Sequence, residues 1–137
     1  MTRLLLDTHL VLWWLNDDPR LPKPVVKRVR APEAEVFVSQ VSLWELALKQ
    51  RQGRVQLDLA RLEQEVTRQH FHWLPLRNEH LLALAELDSS AAPSDLFDQL
   101  LLVQSRQEPL LLLTADTALR SCGATVLGLE PAAPAQP

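Results

Sequence analysis

Four acidic residues stand out by type and placement: Asp7, Glu45, Asp98 and Asp116. Asp7 closes the apolar run Leu4-Leu5-Leu6, and Asp116 lies two residues beyond Thr114 at the end of Leu110-Leu111-Leu112-Leu113. Glu45 shares a helical row with Val41, Trp44 and Leu48, and Asp98 is flanked by Phe97, Leu100 and Leu101. A carboxylate on an apolar row is costly unless it is paired, protonated or bound to a cation. Several gathered at one place repel one another unless cations neutralise them. An all-carboxylate, thiol-free donor set selects hard ions, Mg²⁺ or Mn²⁺ rather than zinc. Such an ion polarises a phosphodiester, activates water for in-line attack and stabilises the leaving oxygen, so no protein nucleophile is required.

Each acid also has a plainer reading. Ser42-Leu43-Trp44-Glu45 fits a helix capping box, in which Glu45 only accepts a backbone N–H. Asp95-Leu96-Phe97-Asp98 offers a cap and a third-position acid, and Glu45 with Lys49 fits a surface pair one turn apart. Asp7 and Asp116 each suit the start of a helix. Four such accounts must then coincide with two acids set into apolar rows. Other constellations are weak. His9, His70, His72 and His80 lack metal-ligand spacing, Ser39 and Ser42 lack a nucleophile–base pattern, and three glycines make no phosphate-cradling loop. Trp13, Trp14 and Trp44 sit on helical apolar rows and read as core, as does Trp73.

The elements that must position these acids follow from periodicity. Strands are expected at the apolar run before Asp7, at Glu35–Ser39, Trp73–Leu76 (an edge, because of Pro75), Leu110–Thr114 and Thr125–Leu127. Helices are expected from Leu10 to Leu15, around Val25–Val29, from Val41 until Gly53, and from about Leu59 to Gln69 with His70 as a less regular member of its row. Two more span Glu79–Leu87 and Asp95–Gln107, and a short one Asp116–Ser121. Alternating strands and helices predict an α/β domain of three layers (α/β/α) with a central, mainly parallel five-stranded sheet. Residues 1–130 read as a single domain, and the Pro/Ala-rich stretch 131–137 as a disordered tail.

Composition narrows the function. The 137 residues are 47% hydrophobic and 23% charged, an ordinary globular balance. A single cysteine, Cys122, excludes a disulfide framework and a thiolate metal site. Apolar runs fall far short of the roughly 20 residues that span a bilayer, and Asp7 and His9 interrupt the first of them. A cytoplasmic protein is expected, with no membrane partner. Residues 1–68 hold 11 Lys/Arg against 9 Asp/Glu, and residues 69–137 hold 3 against 8. With a net charge of −3, electrostatic coating of nucleic acid is excluded, whereas an acidic cleft that recruits cations can still admit phosphates. The basic residues Lys23, Lys27, Arg28 and Arg30, then Lys49, Arg51 and Arg54, read as solvated helix faces.

Leu4-Leu5-Leu6-Asp7-Thr8-His9 and Ser39-Gln40-Val41-Ser42-Leu43-Trp44-Glu45-Leu46-Ala47-Leu48-Lys49 resemble the opening motifs of PIN-domain proteins. Asp95-Leu96-Phe97-Asp98-Gln99-Leu100-Leu101 and Leu113-Thr114-Ala115-Asp116 resemble the later ones. Their order and spacing are similar to the VapC-type toxins of type II toxin–antitoxin systems, over residues 3–128. The resemblance implies a metal-dependent endoribonuclease whose acidic quartet is Asp7, Glu45, Asp98 and Asp116. Asp7 and Asp98 would be the chief metal ligands, while Glu45 and Asp116 would hold a second ion or its waters and place the attacking water. It also implies a hydroxyl role for Thr114, an RNA substrate, frequent homodimers, and a small cognate antitoxin whose C-terminal segment wraps the toxin. The family segment often reads His-x-Asp-Pro-Phe-Asp-Arg, whereas Pro93, Leu96 and Gln99 stand here for the His, Pro and Arg. Losing that Arg removes a bidentate contact to phosphate or carboxylate.

The competing function is a catalytically silent PIN fold that binds RNA or a partner without turnover. A haloacid-hydrolase-like phosphatase would want a second Asp two residues after Asp7, where His9 stands. A two-component receiver would want a Lys at the end of the fifth strand, which is lacking.

Overall fold

The computed structural model describes residues 2–130; the tail expected at 131–137 lies outside them. Five strands form one sheet: β1 (Thr2–Leu6), β2 (Ala34–Ser39), β3 (His72–Leu74), β4 (Leu111–Thr114) and β5 (Val126–Gly128). Their order is β3-β2-β1-β4-β5, and every pairing is parallel. The helices are α1 (Thr8–Leu15), α2 (Lys23–Val29), α3 (Gln40–Arg51), α4 (Leu59–Arg68), α5 (Asn78–Ala85), α6 (Leu96–Gln107) and α7 (Thr117–Arg120).

β1 lies at the centre because it is apolar on both faces: Leu4, Leu5 and Leu6 are all buried. Alternation sends Leu4 and Leu6 into one core with Leu10, Val25, Leu46, Leu62 and Val66, contributed by α1 to α4. Leu5 enters the opposite core with Leu100, Leu101 and Leu102 of α6 and Leu119 of α7. The sheet is thus covered on both faces, as expected for three layers. β3 is an edge strand, ending at Leu74 immediately before Pro75, where the ring removes the next ladder donor. No helix among the described residues is long and apolar enough to cross a membrane.

Consecutive strands step outward from β1 through β2 to β3, while β4 returns to the other side of β1. This reversal makes β1 and β4 the switch point, and ligands in open parallel sheets bind beyond the carboxyl ends of strands there. A buried polar chain braces the neighbouring helices. Ser39 Oγ donates to Gln104 Oε1 at 2.5 Å, and Gln104 Nε2 reaches His80 Nδ1 at 3.3 Å. His80 Nδ1 also accepts from the Arg77 N–H, leaving Nε2 as donor to Glu108 at 2.8 Å.

Two expectations are corrected. Trp44 is 47% exposed rather than core. α3 buries Val41, Ser42, Glu45 and Leu46, so its inward arc passes beside Trp44, which instead meets Phe97 edge-on at 5.0 Å. His70 does not continue the α4 row: it follows the cap residue Gln69 with φ +59°, the left-handed turn that ends many helices. As a stability check, Leu5→Ala should cost about 2–5 kcal/mol by urea unfolding, since it empties a closed site. Gln64→Ala, at an exposed position of α4, should change stability by less than about 0.5 kcal/mol.

Candidate active site

Asp7 sits one residue past β1 and caps α1, its Oδ1 accepting the Leu10 N–H at 2.9 Å. Its Oδ2 accepts the Thr114 hydroxyl from the end of β4. Only 2% of Asp7 is exposed, and burial pushes its carboxyl pKa up, opposed by the bonds from Thr114 and Leu10. Thr114 Oγ1 in turn accepts the Asp116 N–H at 2.9 Å, so one hydroxyl couples two of the four acids. Asp116 caps α7 through Oδ1, which accepts the Ala118 N–H at 2.8 Å.

Glu45 and Asp98 arrive from the helices. α3 begins directly after β2, with Ser39 as its cap and Ser39 Oγ accepting the Val41 N–H at 2.9 Å. The capping box from Ser42 to Glu45 therefore does not form. Ser42 lies inside the helix, bonded to Thr8 of α1 at 3.0 Å, and Glu45 sits in the second turn. Nor is Glu45–Lys49 a surface pair: Glu45 is buried, and its Oε2 meets Lys49 Nζ at 2.7 Å. Glu45 Oε1 is buried with no hydrogen-bond partner. Asp95 caps α6 by accepting the Asp98 N–H at 3.0 Å, which leaves the Asp98 carboxylate itself outside the cap. The Asp98 pKa is pushed up to about 7, first by burial and then by Asp95, Asp116, Asp7 and Glu45.

Glu45, Asp98 and Asp116 share a cavity of about 230 Å³ with Asp95, His9 and Lys49. Asp7 is not part of its wall and is joined to the wall residue Asp116 through Thr114. Asp95, His9 and Lys49 were not assigned to a site from sequence, although Asp95-x-x-Asp98 and Glu45-x-x-x-Lys49 were visible spacings. Gln99, in the place of the Arg common in the resembling segment, donates to the Pro93 carbonyl at 2.7 Å and pins the preceding loop to α6.

Among the described residues no three His, Cys, Asp or Glu side chains already stand as a closed ligand set. The donors present nevertheless suit a hard cation. All are carboxylate oxygens, Glu45 Oε1 is orphaned, and the Asp98 pKa is raised to about 7 by burial and then by the acids around it.

Residues 4–124 match the PIN domain family. The chain belongs to this family. A relative, Ribonuclease VapC22 of Mycobacterium tuberculosis, is 29% identical over 130 residues, spanning 88% of this chain and 92% of that protein. Two solved structures share the fold. VapBC2 from Rickettsia felis, bound to a DNA fragment from its promoter, gives a TM-score of 0.67 at 13% identity, over 95% of this chain and 99% of that one. A toxin–antitoxin complex from Klebsiella pneumoniae gives 0.65 at 14% identity, over 93% and 98%. The all-parallel sheet is thus that of a PIN domain.

The acid cluster makes stability depend on pH. Asp98 has a folded pKa of about 7 against an ordinary 3.8, so folding favours its protonated form. This contribution is full below about pH 4 and is lost as pH rises through about 7. In EDTA, the urea midpoint should fall from about pH 5 to about pH 8, and Asp98→Asn should flatten that fall. A wild-type midpoint that climbs over the same range would contradict the assignment.

Proposed function

We propose that this PIN domain is a Mg²⁺- or Mn²⁺-dependent endoribonuclease toxin that hydrolyses RNA phosphodiester bonds and is silenced by a small cognate antitoxin. The observation that carries the reading is the gathering of four acids at the switch point, with Asp7 and Asp116 coupled by Thr114 and with Glu45 Oε1 orphaned beside Asp98. The similarity to Ribonuclease VapC22 supports the choice of RNA, and the toxin–antitoxin complex of like fold supports the choice of partner.

Asp7 and Asp98 would be the chief ligands of the cation, with Glu45 and Asp116 holding a second ion or its waters. When bound, the divalent cation supplies Lewis acidity toward the phosphodiester and lowers the pKa of water. The chain's own residues do the rest. Thr114 holds Asp7 by Oδ2, while the α1 cap holds Oδ1, so the carboxylate cannot turn. Gln99 keeps Asp95 and its loop over the cavity. Lys49, the one Lys or Arg lining the cavity among the described residues, has ammonium donors besides the one given to Glu45 and can meet a phosphate oxygen. The protein would act in the cytoplasm, and exposed Leu81 and Leu82 on α5 support a homodimer.

An antitoxin segment has a fitting place away from the acids. Clefts of about 470 and 450 Å³ adjoin at Arg30 and Gln69, between α1, α2 and α4. Trp14, Leu15, Val26 and Phe71 line them with apolar surface, and Arg30, Arg61 and Arg68 lie along them. A segment of apolar side chains interspersed with carboxylates matches that lining.

The purified protein should cleave single-stranded RNA with added Mg²⁺ or Mn²⁺, and EDTA should stop it. Asp7→Asn and Asp98→Asn should each lower the rate by more than the roughly 100-fold that loss of a mere outer-shell partner costs. Undiminished cleavage by both variants would defeat the reading. Faithful RNA binding without turnover in the wild type would favour the silent-binder alternative. For the partner, Arg61→Glu should weaken capture of the cognate antitoxin by about tenfold or more, while leaving RNA cleavage unchanged.

A further inference from the structure

Glu45 is anchored at one oxygen and unsatisfied at the other. Its Oε2 meets Lys49 Nζ at 2.7 Å, and its Oε1 is buried with no hydrogen-bond partner. Both residues line the acidic cavity. The backbone beneath them is already fixed, because Ser39 caps α3 and Ser42 ties that helix to Thr8 of α1 at 3.0 Å. What remains free in Glu45 is the rotation of its side chain, and that rotation decides which oxygen faces the cavity. An ammonium held at Oε2 removes the choice.

We propose that Lys49 is a positioning residue: by holding Oε2 it presents Oε1 of Glu45 as the ligand atom for the divalent cation, and it stays in place when the cation binds. This rests on the reading of the cavity as a cation site. The opposite arrangement, in which the ammonium is a placeholder that the cation must displace, fits the geometry less well. A placeholder would cover the oxygen the cation needs, whereas Lys49 covers one oxygen and leaves the buried one without a partner. A single ammonium also does not balance the cavity's charge, which includes Glu45, Asp95, Asp98 and Asp116. Hydrogen-bonding partners that orient metal ligands commonly change metal affinity by about 10–100-fold when removed.

The two arrangements predict changes of opposite sign. Mn²⁺ is titrated into the full-length wild type and into Lys49→Met, Lys49→Arg and Glu45→Gln, with free Mn²⁺ followed by electron paramagnetic resonance. Lys49→Met should weaken binding about 10–100-fold, Lys49→Arg should recover most of the loss, and Glu45→Gln should bind no better than Lys49→Met. Melting curves without cation report whether each variant is folded. Should Lys49→Met not fold, Lys49→Gln, which keeps a donor without the charge, is judged by the same criterion. Unchanged or tighter Mn²⁺ binding by a folded Lys49→Met overturns the proposal and leaves the cation site standing. A wild type that binds no Mn²⁺ overturns both.

Discussion

The hydrogen bond from Thr114 to Asp7 joins β1 and β4 at the place where their connections part to opposite sides of the sheet. It satisfies the second oxygen of a carboxylate that is almost wholly removed from water, the first being taken by the α1 cap. Without both bonds, burial at that point would carry an uncompensated polar group. With them, Asp7 becomes a fixed point from which the neighbouring acids are measured. Thr114 passes the constraint to Asp116 through the backbone N–H, and the charge of Asp7 reaches Asp98 as one cause of its raised pKa.

Capping and chemistry share the same residues here. Asp7, Asp95 and Asp116 each spend Oδ1 on a helix N-terminus, at α1, α6 and α7 respectively. A cap fixes one oxygen and the direction of the side chain while leaving the second oxygen for another partner. Helix N-termini also carry partial positive charge, which offsets some of the repulsion among carboxylates placed beside them. The plain account of Asp7 and Asp116 as caps is therefore true, and it is also the means by which the cluster is built. The capping account of Glu45 fails, because α3 starts at Gln40, two residues before Ser42, with Ser39 as its cap.

What could be read from the sequence was whatever depends on local order. β1 was legible because it is apolar on both faces and ends in a charge, and α6 because its apolar rows are dense. The quartet was legible because its members follow strands or sit on apolar rows. Trp44 was misread because its spacing from Val41 and Leu48 places it on their row, while the buried arc of α3 is centred one position over and includes the polar Ser42 and Glu45. No periodicity rule rewards a buried serine. The bonds Thr8–Ser42, Ser39–Gln104 and Asp7–Thr114 join residues 34, 65 and 107 positions apart, and nothing local says which hydroxyl meets which acceptor. The raised pKa of Asp98 likewise comes first from burial by the fold and then from four other acids brought near it, neither of which its own flanks announce.

Like charges held together will separate wherever the structure lets them, so the site depends on what prevents relaxation. α3 and α6 carry Glu45 and Asp98, and both are tied down by residues outside the cavity lining. Gln104 of α6 accepts from Ser39, the residue that caps α3, and also reaches His80 of α5. His80 continues to Glu108 at the end of α6, whose carbonyl accepts from Arg3 of β1 at 2.6 Å. A network buried at Ser39, Gln104 and His80 is costly to distort, because any shift leaves several members unpartnered at once. It keeps two helices in register with the central strand, and the acids they carry cannot ease their repulsion by moving apart. The repulsion is left to be relieved by protonation, as at Asp98, or by positive charge brought into the cavity.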